Sequence, residues 1–253
     1  MIQSVDKAIG ILSLFSFAHP RWGISDMAKA MGMPKGTLHN LVSTLAAAGF
    51  LQQDPETRRY NLGPKLFTLG SIMAGTLEIN QKAAGPAHRV AAQTGLICRV
   101  AIWDRDAALI TLNVAPQYTE TLAPQIGPRV AAYCSAIGRM LLVGLDPREA
   151  DSYVSALKPA AFTSRTIISK TDLKRELKET RLRGYALNNQ EIAAGRASVA
   201  VAIFQKGGTP AAAMSLTGSP DQIFGKNEAG ILSGLRATAA EISRYMGYVE
   251  AIA

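Results

Sequence analysis

The sequence predicts a two-domain α/β protein: a small helical domain ending in a short β-hairpin, then a larger domain in which helices and strands alternate. Three observations carry this. A chain of 253 residues suits two ordinary domains better than one. With 48% hydrophobic and 18% charged residues it can bury substantial cores, which argues against disordered, collagen-like and coiled-coil classes. Apolar spacing is helical through most of the first 80 residues apart from a short hairpin at 50–62, and longer strand-like runs begin at residue 96.

Val5, Ile9, Leu12 and Phe15 recur at helical spacing, predicting a first helix over residues 4–18 that His19-Pro20 ends. Ser25 is the expected N-cap of a second, short helix stopped by Gly32. Pro34 suits the first position of a third, where its missing N–H costs nothing, and that helix extends to about Ala48. Its buried stripe is Leu38, Leu41, Val42 and Leu45; Gly36, Asn40, Ser43 and Ala47 form the opposite face, flanked by Lys35, Thr37, His39 and Thr44. Phe50–Gln53 and Arg59–Leu62 read as strands around the turn Asp54-Pro55-Glu56-Thr57-Arg58. The order is that of a winged helix-turn-helix over residues 1–64.

After Gly63-Pro64, residues 65–80 read as a linking helix with an apolar seam at 66, 69, 72, 73 and 77, and residues 81–253 as the α/β domain. There a helix is expected at 82–94, strands at 96–103 and 107–115, a loop rich in Pro and Gly through Pro128, and a helix from Ser135 to Leu145. Ser169-Lys170-Thr171-Asp172 opens a charged helix ending at Gly184. Strands follow at 185–188, 196–204 and 211–217, then a last helix over 227–246.

Cys98 and Cys134 are too few for a disulfide framework and no zinc spacing is present, so a reducing cytoplasm is expected, with neither metal nor cofactor. The apolar stretch Ala8 to Ala18 is too short to span a bilayer; Asp6 and the sequence His19-Pro20-Arg21-Trp22 argue against a signal peptide. The net charge is +8, which suits a polyanionic partner, but residues 1–64 carry only +2 of it and residues 81–253 carry +6. Charge alone does not point to DNA.

The third helix does. A helix entering the major groove needs small or hydrogen-bonding residues outward. Asn40 can pair bidentately with an adenine, with Ser43 and Thr44 beside it; Lys35, Gly36, Thr37 and His39 at the N-terminal turn are placed for close approach and phosphates; Arg58 and Arg59 serve the backbone or minor groove from the wing. On residue types alone the same face is a solvated helix surface; the tri-helical order with a wing favours double-stranded DNA.

The chain resembles the IclR family of bacterial transcription regulators. The matching residues are Ser4-Val5-Asp6-Lys7-Ala8, Pro34-Lys35-Gly36-Thr37-Leu38-His39-Asn40-Leu41, Asp54-Pro55, Tyr60-Asn61-Leu62-Gly63 and Tyr133-Cys134-Ser135-Ala136-Ile137-Gly138-Arg139. The resemblance implies a homodimer or homotetramer with the winged helix on operator DNA and a GAF-like C-terminal domain that binds a small metabolite. Gly36 stands where the family usually has Ser or Thr, and Asn40 where it usually has Arg, so an operator sequence is not inherited.

Carried over residue by residue, the effector pocket falls on Ser135, Ala136 and Ile137 at a helix N-terminus, and on Asn188, Ser198, Ser215 and Thr217. Free amides there suit a carboxylate. Strand alternation puts Arg196 beside Ser198 and Ser215 beside Thr217. Arg196 stands where the family the chain resembles tends to have an aliphatic residue: either its guanidinium clamps an acidic effector, or a one-residue bulge returns it to the surface. Tyr133, Cys134 and Ser135 with Ser198 resemble the branch answering to aromatic acids, although Tyr133 and Cys134 read equally well as packing residues.

Catalysis is disfavoured. His19, His39 and His88 offer no nucleophile–base pair, Ser135 lacks a G-x-S-x-G elbow, and no Gly-rich phosphate loop occurs. The rival reading is a C-terminal domain that only oligomerises; polar faces at 196/198 and 215/217 argue against a dry interface.

Overall fold

The N-terminal apolar stripes converge as their spacing requires. In the computed structural model, which describes residues 2–116 and 128–249, Ile11, Met27, Leu38, Val42, Leu51 and Tyr60 close one small core. The chain divides into two units, Met1–Gly75 and Thr76–Ala253. The Pro- and Gly-rich loop expected before Pro128 lies almost wholly outside the described residues.

In the first unit α1 spans Gln3–Ser13, shorter than the expected 4–18. The chain leaves the helix in a turn where the Ser16 and His19 backbones donate to one another's carbonyls, 3.2 and 3.1 Å, and Trp22 Nε1 donates to the Leu14 carbonyl at 3.1 Å. Helix α2 is Ile24–Met31, capped by extended Gly23; Ser25 lies inside it and is not the cap. The cause is long-range: Trp22 and Tyr60 exchange backbone hydrogen bonds of 3.0 and 2.8 Å, fixing where the chain can turn helical. Gly32, at φ 61°, ends the helix in the left-handed region that glycine enters freely.

Helix α3 is Lys35–Ala47. Pro34 is its N-cap, with extended ψ of 137°, and not its first helical residue, because its carbonyl already accepts from Leu38 N–H at 3.1 Å. Strands β1 (Leu51–Gln53) and β2 (Tyr60–Leu62) pair antiparallel with Leu51 opposite Leu62. A Cβ on Gly63 would sit 2.2 Å from the Gly49 carbonyl oxygen, so this close approach admits only glycine. Helix α4, Pro64–Thr76, buries none of its side chains among the described residues.

The linking helix does not reach residue 80. Leu77 is extended and caps α5, Glu78–Thr94, whose Ile79, Ala83, Ala87 and Val90 belong to the core of the second unit. Burial of that stripe overrides the helical continuity that the periodicity suggests.

The second unit is a six-stranded antiparallel sheet in the order β5-β4-β3-β8-β7-β6, where β3 is Ile97–Asp104, β4 Ala107–Val114, β5 Arg129–Ala131, β6 Ala186–Asn189, β7 Ala197–Phe204 and β8 Pro210–Gly218. Helix α5 and α10 (Glu228–Tyr245) cover one face through Val100, Val199, Leu216 and Leu235. Helix α6 (Ala136–Gly144) covers the other through Ala136, Ile137, Met140 and Leu141 against Ala101, Ala200 and Ala213. The remaining helices are α7 (Pro147–Ala156), opened by Asp146-Pro147, α8 (Lys170–Arg183), capped by Ser169, and α9 (Pro220–Phe224), opened by a Ser219/Gln222 capping box.

Candidate nucleic-acid interface and ligand cavity

Lys35, Gly36, Thr37, His39, Asn40, Ser43 and Thr44 are all exposed on α3, opposite buried Leu38 and Val42. Thr44 Oγ1 donates to the Asn40 carbonyl at 2.9 Å, and Ser43 Oγ lies 3.5 Å from His39 Nδ1; the Asn40 amide itself is not held by any neighbour among the described residues. A Cβ on Gly36 would meet nothing within 4 Å, so the protein's own packing does not demand glycine there. Gly36→Ala is therefore expected to stabilise the free protein by about 0.5–1 kcal/mol in urea denaturation, since the backbone is helical and the site open.

The wing turn is built by Asp54, whose Oδ1 accepts from Glu56 N and Thr57 N at 2.9 Å each. The Thr57 bond chiefly holds the Asp54 carboxyl below its ordinary value. Arg58 occupies the left-handed region at φ 58° with its carbonyl tied to Gln53 Nε2 at 3.0 Å, and its side chain makes no ion pair among the described residues. Arg59 lies 3.7 Å from Asp26, an exposed pair that a phosphate can replace at little cost. Arg58, Arg59, Thr57 and His39 line one trough of about 490 Å³. A wing cation and the outward face of α3 thus share one surface.

In the second unit, the strand register brings together residues far apart in sequence. Ser198 pairs with Thr217 and with Asn188; Ser215 pairs with Arg99. All lie on the sheet face that carries α6, and Ser135, Ala136 and Ile137 at the α6 N-terminus meet them. The result is a cavity of about 40 Å³, with about 450 Å³ of empty space including its open mouth. Arg196 lines it too: β7 begins regularly at Ala197, and the one irregularity of its pairing with β8 falls at Ile203/Phe204. Ile110, Val130 and Ile192 supply an apolar wall. The Ser198, Ser215 and Thr217 hydroxyls make no hydrogen bond among the described residues, so they are available to a ligand.

Two of the candidates do not reach this cavity. The Tyr133 hydroxyl donates to the Ala160 carbonyl at 2.6 Å and accepts from Ala160 N at 3.0 Å, while its ring stacks on Phe162. Cys134 is wholly buried among Val154 and Leu173, and burial pushes its thiol up to about 12. Ser135 is partly committed as the cap of α6, accepting from Gly138 N at 3.1 Å and donating to the Ala131 carbonyl at 2.8 Å. The first-turn amides of Ala136 and Ile137 remain.

A larger space of about 740 Å³ lies between α6, α8 and α10. None of the expected residues lines it, and two of its arginines are engaged: Arg236 donates to the Arg183 carbonyl at 2.9 Å and lies over Tyr185, while Arg181 donates to the Val143 carbonyl at 3.4 Å. The smaller cavity is the one the expected residues line, and the Ser198, Ser215 and Thr217 hydroxyls there are uncommitted among the described residues.

Comparison with known families decides the identity of the fold. The IclR helix-turn-helix domain model matches residues 4–55, and the model of the bacterial transcriptional regulator IclR C-terminal domain matches residues 72–244. The chain belongs to the IclR family. It is 31% identical over 248 residues to the HTH-type transcriptional regulator XynR of Escherichia coli (strain K12), covering 98% of both chains. Among solved structures, the IclR transcriptional regulator from Alicyclobacillus acidocaldarius superposes with TM-score 0.84 at 26% identity, covering 98% of this chain and 100% of that one. An IclR homologue from Microbacterium hydrocarbonoxydans, solved with 4-hydroxybenzoate, shares the fold with TM-score 0.81 at 20% identity over 96% and 99%. This IclR protein is thus a DNA-binding transcriptional regulator with the two-domain architecture its sequence predicts.

Sequence reasoning missed three residues of the IclR C-terminal domain. Arg99 lines the cavity, and Arg139 and Glu191 form the buried pair beneath it. The exposures of the Arg139 and Glu191 side chains are 1% and 9%. Arg139 Nε donates to the Tyr133 carbonyl at 2.9 Å, Nη1 to the Leu187 carbonyl at 3.0 Å and to Glu191 Oε1 at 2.7 Å, and Nη2 to Glu191 Oε2. Asn188 completes the knot, donating to the Cys134 carbonyl and accepting from Glu191 N at 3.3 Å. This network fixes the 188–196 segment, and with it Arg196, against the start of α6.

Proposed function

We propose that this regulator is a cytoplasmic homodimer or homotetramer whose operator affinity is set by a small organic acid bound at the α6 N-terminus. One observation carries the reading: Arg196, Ser198, Ser215, Thr217 and the first-turn amides of α6 come from three segments and converge on one cavity. The 4-hydroxybenzoate in the Microbacterium relative supports an acid as ligand class. A homo-oligomer fits the exposed apolar residues of α4, where Phe67 is 81% and Leu69 43% exposed. The protein acts by binding and catalyses no reaction.

On the DNA, Asn40 reads a base edge; Lys35, Thr37 and His39, with Ser43 and Thr44 beside them, set the approach of α3; Arg58 and Arg59 hold the backbone from the wing. Bound acid alters the poise of paired sensor domains, and residues 64–76 pass this to the spacing of the two reading helices. By linkage, an acid that weakens operator binding is itself weakened by operator.

The test is a gel shift on the DNA upstream of the protein's own gene, with and without organic acids. The expected result is an acid-dependent change in affinity. A C-terminal domain that only oligomerises gives identical shifts with every acid and no rise in melting temperature. A second expectation concerns the wing: Arg58→Ala weakens binding to all sequences and lowers the slope of log affinity against log salt by about 1, read by fluorescence anisotropy.

A further inference from the structure

The effector cavity holds a second cation. Arg99, on β3, is flanked in the sheet by Asn113 on β4 and Ser215 on β8, and its Nε donates to Asn113 Oδ1 at 3.1 Å. That bond orients the guanidinium and leaves both Nη groups without an acceptor among the described residues. Arg196 faces the same space from the residue before β7. No carboxylate among the described residues pairs with either arginine, and Glu191, the acid five positions from Arg196, is fully taken up by Arg139. Half-buried and facing each other, the two guanidinium groups repel: burial first, then the charge of Arg196, hold Arg99 below its ordinary value.

Two like charges with no carboxylate partner among the described residues, lining one cavity, are a cost to the empty protein, and a ligand with two negative ends neutralises both where a ligand with one neutralises only one. Building on the reading of this cavity as the effector site, we infer that the cognate effector is a short aliphatic dicarboxylate held between Arg99 and Arg196. One carboxylate meets each planar fork. The Ser198 and Thr217 hydroxyls and the α6 amides are left for a polar substituent between the two ends.

Calorimetric titration of the intact protein with succinate, glutarate, butyrate and 4-hydroxybenzoate tests this. The expected result is that succinate or glutarate binds about tenfold or more tighter than butyrate, the worth of one added charge-assisted pair. Arg99→Gln and Arg196→Gln should each bring the dicarboxylates to within about twofold of butyrate, while melting temperature without ligand stays unchanged or rises as the repulsion goes. Should a variant fail to fold, the wild-type comparison decides alone. Equal or tighter binding of butyrate or 4-hydroxybenzoate overturns the dicarboxylate assignment and leaves the organic-acid reading standing. No binding of any of the four, with no effect of any on the gel shift, overturns both.

Discussion

Arg139→Ala is expected to destabilise the C-terminal domain by about 3–5 kcal/mol, the cost of leaving a buried carboxylate without its partner. Arg139 is 1% exposed and meets Glu191 as a bidentate fork while its remaining donors go to the Tyr133 and Leu187 carbonyls. Removal therefore orphans one charge and two carbonyls together. Arg139→Lys keeps the charge but not the planar geometry and should fall between the two. The double variant Arg139→Met with Glu191→Leu should recover most of the loss, since a buried ion pair replaced by apolar groups of similar size is often neutral. Urea denaturation followed by circular dichroism reads all three. A loss below about 1 kcal/mol for Arg139→Ala would show that Glu191 reaches water or another cation.

Asn40→Ala should reduce the preference for the true operator over random DNA by about 1–3 kcal/mol, as expected for one bidentate base contact. Asn40 stands exposed near the middle of α3, and its side-chain amide makes no hydrogen bond among the described residues, Thr44 Oγ1 donating to its backbone carbonyl. Nothing in the folded protein depends on its amide, so stability should be unchanged while specificity falls. Anisotropy titrations with operator and scrambled duplexes separate the effects. Equal losses on both duplexes would make Asn40 a backbone contact and move base reading to another residue of α3.

The N-terminal domain was legible because its signals are local. Gly32 in the left-handed region, the Leu38/Val42 stripe and the Asp54 turn each act within a few residues, so their pattern survives in the one-dimensional text. Where the reading slipped, distant contacts were the cause. Gly23 and not Ser25 caps α2 because Tyr60 pins Trp22, and the helix expected over 65–80 stops at Thr76 because Ile79 and Ala83 are claimed by the core of the next unit.

The candidate cavity divides the same way. Alternation along β7 and β8 placed Arg196 with Ser198 and Ser215 with Thr217 on common faces, a property of any regular strand. Tyr133 and Cys134, adjacent to Ser135 in sequence, turn away because a short 3₁₀ turn over Ala132–Cys134 precedes α6 and points their side chains into the packing under α7 and α8.

The sequence by itself determined the family, the reading helix with its wing, and the strand faces that carry polar residues, since these depend on spacing along the chain. Only the tertiary structure decided that Arg99 joins Arg196 and that Arg139 meets Glu191. The first meeting depends on β3 lying beside β8 in the sheet, the second on a loop folding back across 52 residues. Pairings of that kind are set by which apolar faces bury together, and no local period in the chain encodes them.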